Sequence, residues 1–280
     1  ILPYIDIYNF HRHRTYRQAG PTPSFPEGVE EHRQLRNRYN GQDKPMWLTE
    51  AGIGIPSEAP ADLSYEEQIL QARYLVTSTI TSLSQGVDRH FMFVMPPYQE
   101  GDLYWGMFSR SFTPYASYAA TAALTEAIGE GEYTGELQGL PANATGYTFC
   151  DGSDSVVVLW SASTVGMSLH LDASEVTQID MMGRKKVLVP EKGREYQVQA
   201  SPDPIYLRYK GKDLHKQQVK RVSGSQKMPE KKALNRSQRV ILEQEYPSET
   251  WNNSKKSGYN LKEGQTTIRV HVYNFNSEPM

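Results

Sequence analysis

The segment Lys44–Gly52 reads KPMWLTEAG, and the prediction of the fold starts from it. It is short, mostly apolar and bounded on both sides by turn-forming residues, a pattern typical of a buried β-strand. Glu50 stands at the expected C-terminal end of this strand, immediately before a glycine-containing loop. The segment therefore predicts a buried strand that carries a carboxylate at its end.

Two elements are predicted upstream of this strand. Alternating apolar residues indicate another strand, which ends in the polar cluster His11–Arg14. After a stretch rich in proline and glycine, residues 29–39 have the pattern of a charged amphipathic helix, with Leu35 and Tyr39 expected to face inward.

Three elements are predicted downstream. Residues 64–83 form a helix that opens with a capping box, Ser64 and Glu67. A strand over 89–95 and a helix over 115–128 follow. The resulting order is β, α, β, α, β, α, which favours an α/β fold with parallel βαβ units and helices outside the sheet. Three such units are too few to close a barrel.

From about residue 139 the sequence pattern changes to short predicted strands separated by turns. This pattern predicts an antiparallel β-sandwich over residues 139–212. Residues 213–239 are rich in Lys, Gln and Ser, and we interpret them as a solvated linker rather than a nucleic-acid-binding segment. Strand alternation resumes within residues 240–280, where the start of a truncated β module is expected.

The composition narrows the classes of partner. The chain has 280 residues and a formal net charge of -2, so it lacks the basic excess that nucleic acid or an anionic membrane surface would require. Cys150 is the only cysteine, which excludes an internal disulfide. No apolar run approaches the roughly 20 residues of a membrane span, so no membrane insertion is expected. Because the chain opens within a strand-like run at Ile1, we interpret it as a fragment or a processed piece.

Residues 44–52 resemble the nucleophile strand of clan A glycoside hydrolases, in which a run K-P-apolar-W-apolar-T-E ends on the catalytic glutamate. The resemblance implies that residues 1–138 are the C-terminal part of a (β/α)8 TIM barrel, and that Glu50 is the nucleophile of a retaining glycosidase. The alternative is a surface glutamate at the entry to a helix.

Further segments carry the same resemblance. GDLYWGMF at 101–108 and TPYASYA at 113–119 are similar to the last loop and helix of such barrels, although the second proline of the latter run is absent. DMMG at 180–183 and SPDPIY at 201–206 resemble the small β-sandwich that packs behind them. Residues 240–280 resemble the start of an immunoglobulin-like accessory domain.

A carbohydrate substrate is the partner that this resemblance implies. Sugar rings stack on aromatic side chains, and Tyr98, Tyr104 and Trp105 follow the third strand closely enough to line a subsite. Phe91 and Phe93 are expected to belong to the core instead, and for Trp105 core packing is an equally good alternative.

His11 and His13 permit two interpretations. The His-x-His spacing also occurs in metal-dependent hydrolases, but the other histidines are scattered over different elements, so neither a metal nor another cofactor is predicted. The resemblance implies instead that His11, which is nearer the strand than His13, binds substrate or orients the nucleophile.

The second carboxyl group of a retaining mechanism is not found. In the clan it follows an asparagine, and no Asn-Glu pair occurs in this chain. The acid/base is therefore expected in the missing N-terminal part of the barrel, and the fragment alone is expected to be inactive. A non-catalytic carbohydrate-binding protein with a degenerate barrel is the alternative. A secreted or cell-surface location is expected in either case.

Overall fold

The computed structural model describes residues 5–15, 25–57, 62–152, 154–191, 193–211, 240–245 and 269–274. The helices in this part of the chain are α1 (Phe25–Arg38), α2 (Tyr65–Ser84) and α3 (Ala116–Ile128). The strands up to α3 are β1 (Tyr8–Thr15), β2 (Met46–Pro56), β3 (Arg89–Met92), β4 (Gln99–Glu100) and β5 (Leu103–Tyr104).

The first three strands form a parallel sheet with β2 in the centre. β2 pairs in parallel with β1 on one side and with β3 on the other, and helices α1 and α2 connect them. The predicted βαβ order is therefore confirmed. The loop after β3 adds an antiparallel hairpin of β4 and β5, which pairs with the end of β2 through Ile55 and Tyr104.

The expected inward face of α1 is wrong. Leu35 and Tyr39 are 40% and 61% exposed, whereas Val29 is fully buried. His32 lies one turn after Val29 and stacks on Phe10 of β1, with ring centroids 4.2 Å apart. At about 100° per residue, Leu35 points roughly 120° away from the face that Val29 defines.

The predicted capping box at the start of α2 is present. Ser64 Oγ accepts a hydrogen bond from the Glu67 amide at 3.4 Å, and the Ser64 amide donates to Glu67 Oε2 at 2.8 Å. Two amides that have no partner within the helix are thereby satisfied.

A second, antiparallel body follows α3. Its strands are β6 (Glu132–Glu136), β7 (Ala144–Asp151), β8 (Asp154–Ser161), β9 (Val165–His170), β10 (Val176–Ile179), β11 (Lys185–Leu188), β12 (Glu195–Ala200) and β13 (Ile205–Lys210). Six of them form a sheet in the order β11-β10-β13-β8-β7-β6, and β9 pairs with β12 in a second sheet. Leu159 and Leu207 of the large sheet share a core cluster with Leu169 and Val198 of the small one, as a sandwich requires.

This body begins earlier than the sequence indicates. β6 was not predicted, yet it pairs with β7, so the large sheet starts at Glu132 rather than after residue 138. Its outer face packs on the helices: Ile80 of α2 and Leu124 of α3 share a core cluster with Phe149 and Tyr206. The division of the chain into domains itself stays a prediction.

The rest of the chain is described only in part. β14 (Val240–Glu245) and β15 (Arg269–Asn274) form an antiparallel pair. The predicted linker 213–239 and most of the module 240–280 lie outside the described residues. Among the described helices, none is both long and apolar enough to cross a membrane.

Candidate active site

An irregularity in β2 determines which way Glu50 points. Phe10 of β1 is aligned with Leu48, but the next residue, His11, is aligned with Glu50, so Thr49 has no counterpart. The pairing of β2 with β3 is shifted between Leu48 and Ala51 as well. One extra residue in a strand is a β-bulge, which reverses the alternation of side chains beyond it.

The burial pattern of β2 follows this reversal. Leu48 precedes the bulge, Ala51 and Ile53 follow it, and all three are buried in the core that faces the helices. Glu50, between them, is left on the opposite face of the sheet together with Gly52 and Gly54.

Glu50 does not lie at the end of its strand, which corrects the expectation from the sequence. β2 continues to Pro56 because its last residues pair with the hairpin: Ile55 with Tyr104 and Pro56 with Leu103. This contact depends on a segment about fifty positions downstream, which strand periodicity cannot reveal.

Two imidazoles contact the Glu50 carboxylate. Glu50 Oε2 lies 3.4 Å from His11 Nδ1 and 3.3 Å from His13 Nε2. The two histidines are two positions apart on β1 and so share a face. The side chains of His11, His13 and Glu50 are 53%, 31% and 39% exposed, so the carboxylate is held by neighbours and still reachable from solvent.

His13 was the less favoured of the two histidines in the sequence analysis, yet it also contacts Glu50. The signal was present, since a His-x-His pair in a strand places both rings on one face. Both contacts with Glu50 rest on the bulge at Thr49, for which the sequence carries no recognisable mark.

Trp105 forms a wall beside His13, on the face of the sheet that carries Glu50. Its ring lies 5.2 Å from that of His13, edge to face, and Trp105 is 8% exposed. A Cβ atom at Gly54 would come within 2.6 Å of Trp105 Cζ2, so the absence of a side chain at Gly54 permits this close approach. Among the described residues, the buried indole Nε1 of Trp105 has no hydrogen-bond partner.

Phe93 and Tyr98 continue this aromatic surface, although Phe93 was expected in the core; it is half-buried instead. The Phe93 ring lies 5.0 Å from that of His13 and 5.5 Å from that of Tyr98, both edge to face. Tyr98 is half-buried. Phe91, which was expected in the core, is 46% exposed and lies 5.7 Å from the ring of Trp47; that expectation is wrong.

Tyr104 belongs to the core and does not line the site, contrary to the prediction. It is 1% exposed, and its hydroxyl donates a hydrogen bond to the Phe108 carbonyl oxygen at 2.5 Å. The Arg110 guanidinium lies 4.7 Å from its ring centroid. A side chain enclosed in this way offers no face to a sugar.

The donor atoms of this site suit two kinds of chemistry. An exposed carboxylate beside two imidazoles and an aromatic wall can act as an oriented nucleophile toward a bound sugar. The ligand atoms of His11, His13 and Glu50 also lie within 4.8 Å of one another, which is the spacing of a metal-binding group.

Comparison with known proteins supports the fold. No protein-family model matches the chain, and no curated protein matches it in sequence. Among solved structures, it is similar to a family 39 glycoside hydrolase from Bacteroides cellulosilyticus WH2, with a TM-score of 0.58 and 16% identity over 75% of the chain and 45% of that structure.

Two further structures are similar. One is a GH51 arabinofuranosidase from Xanthomonas axonopodis pv. citri, with a TM-score of 0.54 and 11% identity over 74% of the chain and 53% of that structure. The other is a glucosidase from Croceicoccus marinus, with a TM-score of 0.52 and 13% identity over 75% of the chain and 54% of that structure. The chain thus spans about half the length of these structures. The resemblance to clan A glycoside hydrolases is confirmed at the level of the fold, which is that of part of a TIM barrel followed by a β-sheet body.

Proposed function

We propose that this chain is the C-terminal part of a retaining glycoside hydrolase and that Glu50 is its nucleophile. One observation carries the proposal: the Glu50 carboxylate is partly exposed, contacts His11 and His13, and shares its face of the sheet with the wall formed by Trp105. A surface glutamate that only kept the protein soluble would need none of these contacts.

In the proposed reaction, an oxygen of Glu50 attacks the anomeric carbon as the glycosidic carbon–oxygen bond breaks. The leaving oxygen takes a proton from a second carboxylic acid, which we place upstream of this chain, about 5–5.5 Å from Glu50 as retention requires. Water activated by the same group then hydrolyses the glycosyl ester. The free carboxylate of Glu50 is regenerated.

The neighbours of Glu50 have distinct proposed roles. An imidazole N–H directed at Oε2 holds the carboxylate in one orientation. His13 is enclosed by Phe93 and Trp105, which suits it to positioning Glu50. His11 is the more exposed of the two, which suits it to a substrate hydroxyl group.

The proposed substrate is an O-glycoside of an oligosaccharide or polysaccharide. Half-buried Tyr98 offers aromatic surface to the apolar face of a sugar ring, and Trp105, which is only 8% exposed, lies behind it as part of the wall of the site. Two of the similar structures are a glucosidase and an arabinofuranosidase, which supports a neutral saccharide as the class. We also propose that the protein acts outside the cell or on its surface, where such polymers are met.

A mechanism-based label tests the proposal. The full-length protein is incubated with 2-deoxy-2-fluoro glycosides of several sugars, which trap glycosyl esters, and peptides are examined by mass spectrometry. The expected result is an adduct on Glu50 that identifies the sugar, and no adduct in the Glu50→Gln variant. A folded protein that binds polysaccharide but forms no adduct with any reagent would instead indicate a carbohydrate-binding module.

A further inference from the structure

We propose that His11 Nδ1, His13 Nε2 and Glu50 Oε2 form a binding site for Zn²⁺ or a similar transition-metal ion, and that an ion bound there blocks the nucleophile. Zinc in this role is an inhibitor rather than a cofactor of the glycosidase. The binding part of the proposal depends only on the described side chains, and the blocking part rests on the proposed function of Glu50.

The distances between the ligand atoms support a single ion. Zinc binds imidazole nitrogen and carboxylate oxygen at about 2.0–2.2 Å in tetrahedral geometry, which separates neighbouring ligand atoms by roughly 3.3–3.5 Å. Glu50 Oε2 lies 3.4 Å from His11 Nδ1 and 3.3 Å from His13 Nε2. Both separations match an edge of the zinc tetrahedron, and the two histidine nitrogens lie within 4.8 Å of each other.

The ligand types narrow the choice of ion. Two imidazoles and one carboxylate suit zinc, copper and nickel, whereas Mg²⁺ and Ca²⁺ prefer sets composed of oxygen atoms. The three side chains remain 31% to 53% exposed, which leaves a side open for a water molecule as the fourth ligand. Loading from solvent therefore needs no opening of the fold.

The same oxygen atom would serve both the ion and the reaction. A metal at Glu50 Oε2 occupies the electron pair that attacks the anomeric carbon, and its charge makes the carboxylate a poorer nucleophile. Zinc and glycoside then compete for one group, so inhibition is reversed by a chelator.

Direct titration tests the binding part. ZnCl2 is titrated into the full-length wild-type protein and into His11→Gln, His13→Gln and His170→Gln by isothermal calorimetry. His170 is the matched control because it lies 3.1 Å from the carboxylate of Glu195, on the exposed face of β9 and β12.

We expect one zinc per molecule in wild type and His170→Gln, and at least about tenfold weaker binding in His11→Gln and in His13→Gln, because loss of even an outer partner of a zinc ligand costs about 10–100-fold. Unchanged affinity in both site variants, or no binding in wild type, would overturn the site. The visible spectrum of wild type loaded with Co²⁺ gives a second measurement that needs no variant: four-coordinate cobalt is expected, and an octahedral spectrum contradicts the site.

Steady-state assays with the sugar found by labelling test the blocking part. Zinc should inhibit wild type and His170→Gln competitively and reversibly, while equal Mg²⁺ has no effect. Zinc binding without inhibition would overturn only the proposal that the ion blocks Glu50, and the binding site would stand. Zinc binding in a protein that hydrolyses no glycoside would leave the site standing and overturn the proposed function.

Discussion

A single extra residue, Thr49, gives Glu50 its surroundings. Because Thr49 has no counterpart on β1, Glu50 is aligned with His11 and projects to the face opposite the buried Leu48 and Ala51. Residue type and local pattern suggested Glu50 as a candidate, but they could not show that the carboxylate meets two imidazoles.

Replacing Glu50 with alanine tests its role as a nucleophile. We expect the turnover of the full-length enzyme to fall by about four orders of magnitude or more, since the covalent step has lost its attacking group. Added azide should enter the vacated space and restore part of the rate with formation of a glycosyl azide. His170→Ala serves as the control and should keep its activity; a rate in Glu50→Ala close to that of wild type would exclude Glu50.

Gly54 is a position where a single added carbon atom should disturb the site. In Gly54→Ala the new Cβ would lie 2.6 Å from Trp105 Cζ2, so the indole must move. We expect a loss of roughly 1–3 kcal/mol in the free energy of unfolding, as overpacking typically costs, together with a changed tryptophan emission and a raised KM. Gly166→Ala in β9 is the matched control, because its Cβ would meet nothing within 4 Å. Equal effects in the two variants would refute the packing argument.

At the scale of the element, the sequence predicted a helix or strand feature correctly where the interacting residues are close together in the chain. The start of α2 was predicted because both members of its capping box lie within one turn. The inward face of α1 was predicted wrongly, since the apolar residues Leu35 and Tyr39 lie outside the face that packs on β1. In α1 that face carries His32, which apolar periodicity does not count.

The capping box of α2 should contribute measurably to the free energy of unfolding. Ser64→Ala removes the acceptor for the Glu67 amide, and we expect a loss of about 0.5–2 kcal/mol in the free energy of unfolding by denaturant. Glu67→Gln should cost less, because glutamine also forms this motif. If both substitutions have no effect, the first turn of α2 is stabilised by packing instead.

At the scale of the whole molecule, the large sheet of the sandwich packs on α2 and α3. The cluster that joins them includes Ile80, which is fully buried. An ion pair crosses the same boundary, with Arg73 Nε 2.6 Å from Asp203 Oδ1, but these side chains are 37% and 48% exposed. Apolar burial should therefore dominate over the ion pair.

Two substitutions separate these contributions. Ile80→Ala should lower the free energy of unfolding by about 2–5 kcal/mol, the usual cost of a large-to-small change in a core. Asp203→Asn should cost less than about 1 kcal/mol, because exposed ion pairs contribute little. Denaturant unfolding of both variants provides the comparison, and the reverse ranking would contradict it.

Because of His90 in β3, we expect the free energy of unfolding to depend on pH. Burial lowers its pKa to about 3, and its Nδ1 lies 2.7 Å from Ser82 Oγ of α2. An unfolded chain binds this proton near pH 6.5. Between about pH 6.5 and 3 the unfolded state therefore holds more protons, and stability falls as the pH is lowered, by at most about 1.4 kcal/mol per pH unit.

The variant His90→Gln should remove this part of the pH dependence. Thermal unfolding of wild type and variant at several values between pH 4 and pH 7 measures the difference in slope, so other acid-sensitive groups cancel. Parallel slopes would show that His90 binds its proton equally in the folded and unfolded states, and that burial does not lower its pKa.

The sequence alone determined the features whose causes are local. Strand and helix order follows from apolar periodicity and turn residues, the α2 start from its capping box, and the candidate Glu50 from the run Lys44–Gly52. Only the tertiary structure decided the features that depend on partners distant in the chain. Three such features are the bulge at Thr49, the contact of His13 with Glu50 and the burial of Tyr104. They depend on the register between strands and on loops that pack across the sheet. Both are set by contacts between residues far apart in the chain, so the sequence around each residue does not reveal them.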